Sequence, residues 1–194
     1  MSKEDRSGKG RLTEQEIEQL LKSNNLLEKF KAVELLKERK SLDRLLGLIF
    51  SESWHLREKV QEALSQFSLN ELANKLIPLL DEKIWYVRAA AINILGNLAI
   101  KELENKSAEG EAVEQEEASL PKGYERIGEL FDIITPHLLE KNEVVRAKTA
   151  RAVAQICTLV PYLKGKLSSE QCAIVENQLR EMKEFEILQK FLNL

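Results

Sequence analysis

The sequence predicts an all-α protein of about four stacked helix pairs, followed by C-terminal capping helices. Three observations carry this: turn formers are scarce, apolar residues recur at helical spacing around a repeated arginine, and two of the four prolines share one register of that recurrence. Eight glycines and four prolines in 194 residues are too few for a fold made of many tight turns. Leu, Glu, Lys, Ala and Gln dominate, and all are good helix formers.

The recurrence appears in three segments that align without gaps: FSESWHLREKVQEALSQF (50–67), DEKIWYVRAAAINILGNL (81–98) and LEKNEVVRAKTARAVAQI (139–156). Arg57, Arg88 and Arg146 each follow an apolar residue, namely Leu56, Val87 and Val145. Val60, Ala91 and Thr149 stand three positions on, Leu64, Leu95 and Val153 seven on, and Phe67, Leu98 and Ile156 ten on. These offsets trace one stripe of a helix with 3.6 residues per turn. A fainter copy, LLEKFKAVELL, covers 26–36. Pro78 and Pro136 each stand ten residues before an arginine, inside Leu-rich helical stretches, where a proline is expected to kink the helix. Each unit therefore reads as helix, short turn, helix.

Arg57 and Arg88 are 31 residues apart and Arg88 and Arg146 are 58 apart, so about 27 residues are inserted between the later pair. The insertion is assigned to 101–123, an acidic segment nearly free of large apolar residues, expected to form a mobile loop because it buries too little to offset its ordering entropy. Residues 1–11 read as a charged, disordered tail, and 12–194 as one solenoid domain. Three helix starts carry capping boxes, Thr13 with Glu16, Ser68 with Glu71 and Ser168 with Gln171. Leu12 and Ile17 form a candidate staple at the first, and 13–39 reads as a helix pair split at 23–25. In the tail, Cys172, Val175, Leu179 and Met182 make one stripe that Phe185, Leu188, Phe191 and Leu192 extend. Such a tail suits a cap on the stack. Its apolar end, 184–194, also offers a docking or homodimer surface.

The pattern seen in DEKIWYVRAAA resembles the HEAT repeat, particularly the short form of bilin-lyase-like proteins, over roughly 26–159. The resemblance implies a right-handed α-α superhelix and says little about function, because HEAT arrays serve many purposes. It also implies a structural role for the repeated arginines, bonding to turn carbonyls or neighbouring repeats. Their alternative is an anion-binding role for Arg57, Arg88 and Arg146 with Lys148 and Arg151.

Two surfaces are candidates for recognition. Trp54 and Trp85 are the only tryptophans, each three residues before its arginine and followed by His55 and Tyr86. Tryptophan buries much area with little rotamer entropy, which suits a binding edge; the alternative is packing beneath its own turn. The third segment has Glu143 there. The second surface is a polar ladder, Gln66, Asn97 and Gln155 nine residues after each arginine, with Glu62, Asn93 and Arg151 five after. ILGNLA (94–99) resembles the last helix of armadillo repeats, whose Asn ladder clamps peptide backbones, as an amide can donate and accept together. Two of the three rungs here are Gln, and a solvated polar face is the plainer reading.

Other chemistry finds no pattern. Two histidines, His55 and His137, and two cysteines, Cys157 and Cys172, have no metal-ligand spacing. The cysteines lie on apolar positions and are expected to be buried thiols. No phosphate-binding glycine loop, dinucleotide motif or nucleophile elbow occurs. No cofactor is implied, and a catalytic role is not expected. The segment 101–126 carries eight Glu against four Lys or Arg, and the rest is close to neutral, which argues against nucleic acid as partner. The N-terminus lacks a secretory h-region and no apolar run reaches membrane-spanning length, so a cytoplasmic location is expected. The function expected is a scaffold or adaptor that binds a protein or peptide. The alternatives are a nucleic-acid binder like the HEAT-like alkylpurine glycosylases and a bilin-lyase-like chaperone or enzyme.

Overall fold

A computed structural model describes residues 12–108 and 120–194; these form two compact units that meet in sequence between Leu64 and Ser65. Among the described residues the regular structure is helical throughout. The tail 1–11 and the centre of the acidic segment lie outside them.

The first unit holds α1 (Glu14–Lys22), α2 (Leu26–Glu38), α3 (Leu42–Gly47), a 3-10 turn (Leu48–Phe50) and α4 (Trp54–Leu64). The capping box at Thr13 is formed: its hydroxyl accepts from Glu16 N while Glu16 reaches back to Thr13 N. Asn25 caps α2 by accepting from Leu27 N at 3.0 Å. Just past the end of this helix Lys40 stands at φ 53°, and Ser41 N closes on Leu36 O at 2.9 Å. A left-handed terminal residue is usually glycine; here lysine accepts the conformation to satisfy the last carbonyls. Ile17, Val33, Leu36, Leu45, Ile49, Val60 and Leu64 are fully buried and form the core of this unit. Glu14 pairs with both Arg39 and Arg44, tying α1 to the α2–α3 corner.

The second unit contains α5 (Leu69–Leu76), α6 (Trp85–Ala108), α7 (Glu125–Ile134), α8 (Glu143–Leu159), α9 (Ser169–Glu181) and α10 (Phe185–Leu192). Capping boxes at Ser68 and Ser168 start α5 and α9 as expected. Four helix pairs, α1–α2, α3–α4, α5–α6 and α7–α8, are thus followed by α9 and α10, which pack on α8.

The prolines act differently from a kink. At Pro78 and Pro136 the α-helix stops, and the chain continues as 3-10 turns, Ile77–Asp81 and Thr135–Leu139, with proline in the first turn of each. Proline suits that first turn because the N–H it lacks would be unbonded there anyway. In both repeats the first helix therefore tightens just before the turn.

The acidic segment also differs from expectation. Residues 101–108 continue α6 rather than forming a loop, with Leu103 buried and Ser107 Oγ donating to Leu103 O. Residues 120–123 are anchored too, as Lys106 Nζ donates to Gly123 O and Leu120 lies against Gly128. Leu103 falls in helical phase and is buried there, a signal that composition averaged over 101–123 does not carry.

The predicted stripe is buried at every position, from Leu56, Val87 and Val145 through Val60, Ala91 and Thr149 to Phe67, Leu98 and Ile156. Thr149 enters the core by donating its hydroxyl to Val145 O at 2.8 Å. The tail follows its predicted stripe only to Met182. Lys183, at φ 59°, breaks the helix and resets its phase, so Leu188 and Phe191 point inward while Phe185 and Leu192 are exposed. Cys157 is buried as expected, but Cys172 is only partly so.

Candidate functional site

The repeated arginine organises each turn. Every second helix carrying it begins three residues earlier, at Trp54, Trp85 and Glu143. From there the guanidinium reaches back over the turn to the carbonyls six and five residues before it. Arg57 Nη1 donates to Ser51 O at 2.6 Å and Glu52 O at 3.0 Å. Arg88 Nη1 does the same to Glu82 O at 2.7 Å and Lys83 O at 3.2 Å. Arg146 Nη1 repeats it on Glu140 O and Lys141 O, both at 2.8 Å. These carbonyls belong to the turn and have no helical donor, so a charged side chain satisfies them where the chain reverses. This is the turn-carbonyl role that the resemblance implied.

Arg88 does more. Its Nε and Nη2 clasp the Glu140 carboxylate of the following repeat at 2.9 and 2.6 Å, with both side chains at or below 20% exposed. His137 Nδ1 lies 2.8 Å from Oε1 of that carboxylate, the oxygen that Arg88 Nε also reaches. Burial pushes the Glu140 pKa up, but bonds from Arg88 and His137 outweigh it and the net direction is down. The Arg88 pKa is raised, chiefly by the hydrogen bond to Glu140. Glu140 was not singled out from the sequence. The available signal was its register, since Glu82 and Glu140 both stand six residues before an arginine.

Trp54, which opens α4, is 57% exposed, and Trp85, which opens α6, is 41% exposed. Each is braced edge-on by its neighbour: Trp54 and His55 ring centroids are 4.9 Å apart, and those of Trp85 and Tyr86 are 5.7 Å apart. Neither indole is tucked beneath its turn. Ile84 beside Trp85, and Leu139 and Val144 at the following turn, are also exposed.

The polar ladder is broken at its first rung. Gln66 lies beyond the end of α4 at Leu64, in the turn before α5, because Ser68 restarts a helix there. It lines an open groove of about 370 Å³ with Phe67, Leu98, Lys101 and Asn105. Asn97 is exposed on α6, while Asn93 on α6 and Gln155 on α8 are half-buried. Arg151 on α8 lies 3.6 Å from Glu184, a loose pair with both side chains substantially exposed. Lys101, which lines the groove, donates to Ser65 O.

Among the described residues no group of three or more His, Cys, Asp or Glu is arranged to hold a metal ion, and no helix is long and apolar enough to cross a membrane. Cys157 is pushed up to about 12, mainly by burial and secondly by Cys172, so it is a protonated thiol at neutral pH.

No curated protein is significantly similar to the chain. Residues 14–106 match the family model of HEAT repeats, from the first turn of α1 almost to the end of α6. The Arg146 geometry carries the same pattern into α8. Residues 14–106 are therefore built of HEAT repeats.

Proposed function

We propose that the chain is a non-catalytic scaffold or adaptor that binds a partner protein or peptide through its inter-helix turns. HEAT repeats are generally protein-interaction scaffolds and are typically non-catalytic. The observation that carries the reading is the exposure of Trp54 and Trp85, each at the first residue of a second helix and each in edge contact with a neighbouring ring. A large aromatic side chain in water offers much area to a partner while having only two side-chain torsions to order on binding. The near-neutral charge outside 101–126 supports a protein partner over nucleic acid. The two unpaired cysteines support the cytoplasm as the compartment.

Affinity capture with the full chain and with Trp54→Ala and Trp85→Ala, alone and combined, tests this. The expected result is loss of specific partners in the double variant with helix content unchanged. Undiminished retention of every partner excludes both tryptophans as contacts.

A further inference from the structure

Arg88 and Arg146 occupy the same register and treat their own turns alike, yet differ in their outer edge. The Nε–Nη2 edge of Arg88 is filled by Glu140. Arg146 places Nη1 on Glu140 O and Lys141 O, and its Nε–Nη2 edge has no acceptor among the described residues. The next helix pair does carry an acid beside its turn, Glu184, but that carboxylate lies over Arg151, five residues further along α8. A guanidinium edge in this setting is oriented by its two carbonyl bonds, and its planar fork matches a carboxylate.

We propose that Arg146 is a docking point for an acidic side chain of a partner protein, which would take the position Glu140 takes on Arg88. This rests on the scaffold reading and adds the chemistry of a second contact. Val144 is 43% exposed and Leu139 is 55% exposed, next to the turn whose carbonyls hold Arg146. The matching ligand is therefore a Glu or Asp flanked by aliphatic residues. Charge points the same way: Lys148 and Arg151 follow on α8, and Glu143 is the one acid in that helix.

The test is titration of the full chain with the capped tripeptide acetyl-Leu-Glu-Leu-amide, following arginine Nε–H resonances by NMR. The Arg146 resonance, assigned by its loss in Arg146→Lys, is expected to shift saturably with a midpoint of order millimolar. The Arg88 resonance, already bonded to Glu140, stays in place. The Leu-Gln-Leu analogue is expected to bind about tenfold more weakly, since a neutral amide forfeits the charge-assisted pair. An unmoved Arg146 resonance, or an equal response to the Gln peptide, overturns the proposal. So does a single-stranded oligonucleotide that displaces the peptide at tenfold lower concentration, because the site then belongs to phosphate. The titration is read on the unsubstituted chain, and the Lys variant, whose other arginine resonances must stay in place, serves only to assign the signal. Failure here with the tryptophan-dependent capture intact removes Arg146 and leaves the scaffold standing.

Discussion

Helix α8 packs in one way against α6 and in another against α9 and α10. Against α6 it is closely fitted: a Cβ placed on Gly96 would come within 2.6 Å of the Ala152 Cβ, and the Arg88–Glu140 clasp bridges the turns at one end. Toward α9 and α10 the fit is made by large side chains such as Leu179, Leu188 and Phe191, and the ionic contact is the loose Arg151–Glu184 pair. The first joint is one repeat stacked on another, with small residues and a shared ion pair. The second closes over α8 with bulk. Where backbone fit is close, geometry is set by what is absent from Gly96; where it is not, the side chains must fill the space.

The bulk-filled joint should show the largest single effect. Phe191 is fully buried, and Lys164 caps it twice, with its ammonium 4.7 Å from the ring centroid and 2.6 Å from Phe191 O. Phe191→Ala is expected to cost about 3–5 kcal/mol in urea unfolding, the usual range for a buried Phe cut to Ala. A loss under about 1 kcal/mol would mean that α10 leaves α8 freely and that its packing adds little.

The ionic half of the α6–α8 joint comes next. Glu140→Ala leaves the Arg88 fork without its carboxylate in a partly buried site, and a cost of about 2 kcal/mol is expected. The pH dependence has a definite sign. Glu140 is depressed in the folded chain by Arg88 and His137 against the opposing effect of burial. Its contribution is therefore complete above the unfolded carboxyl pKa, about 4.3, and is lost as pH falls through the lower folded value. The stability gap between the parent and Glu140→Ala should be constant near neutrality and close in acid. A gap that persists at low pH would assign the loss to packing rather than to the ion pair.

The steric half is smaller because two effects oppose. Gly96→Ala gains about 1 kcal/mol of helix propensity. It also forces a Cβ into Ala152, whose own Cβ and Cα sit on a helix and cannot swing aside. Overpacking costs about 1–3 kcal/mol, so a net loss of about 1 kcal/mol is expected by thermal unfolding. A stabilised variant would show that the helices separate easily.

These contrasts also mark what the sequence made legible. The arginine register, the buried stripe and the three capping boxes are local patterns, and local patterns fix which face of a helix turns inward. Gly96 was read only as part of ILGNLA, because its meaning depends on Ala152, 56 positions away. Glu140 went unnoticed for the same reason: its partner Arg88 comes from another repeat. Gln66 was misplaced since a repeat offset carries no information about where its helix ends, and Ser68 ended that one early. Exposure of the tryptophans could not be read from register either, because the first residue of a helix can face the turn or the solvent.

The smallest effect is the sharpest test of the contrast. Glu184 stands at the N-cap of α10 with no side-chain capping bond, and its nearest charge is Arg151 Nε at 3.6 Å. Such a pair in water contributes about 0–0.5 kcal/mol, with a few tenths more from the helix dipole. Glu184→Gln should therefore shift urea unfolding by less than about 0.7 kcal/mol, and less still at high salt. A loss equal to that of Glu140→Ala would make the two joints equivalent. It would also mean that the following repeat does close on α8 through its turn acid. The open edge of Arg146 would then be an accident of side-chain placement rather than a site left for a partner.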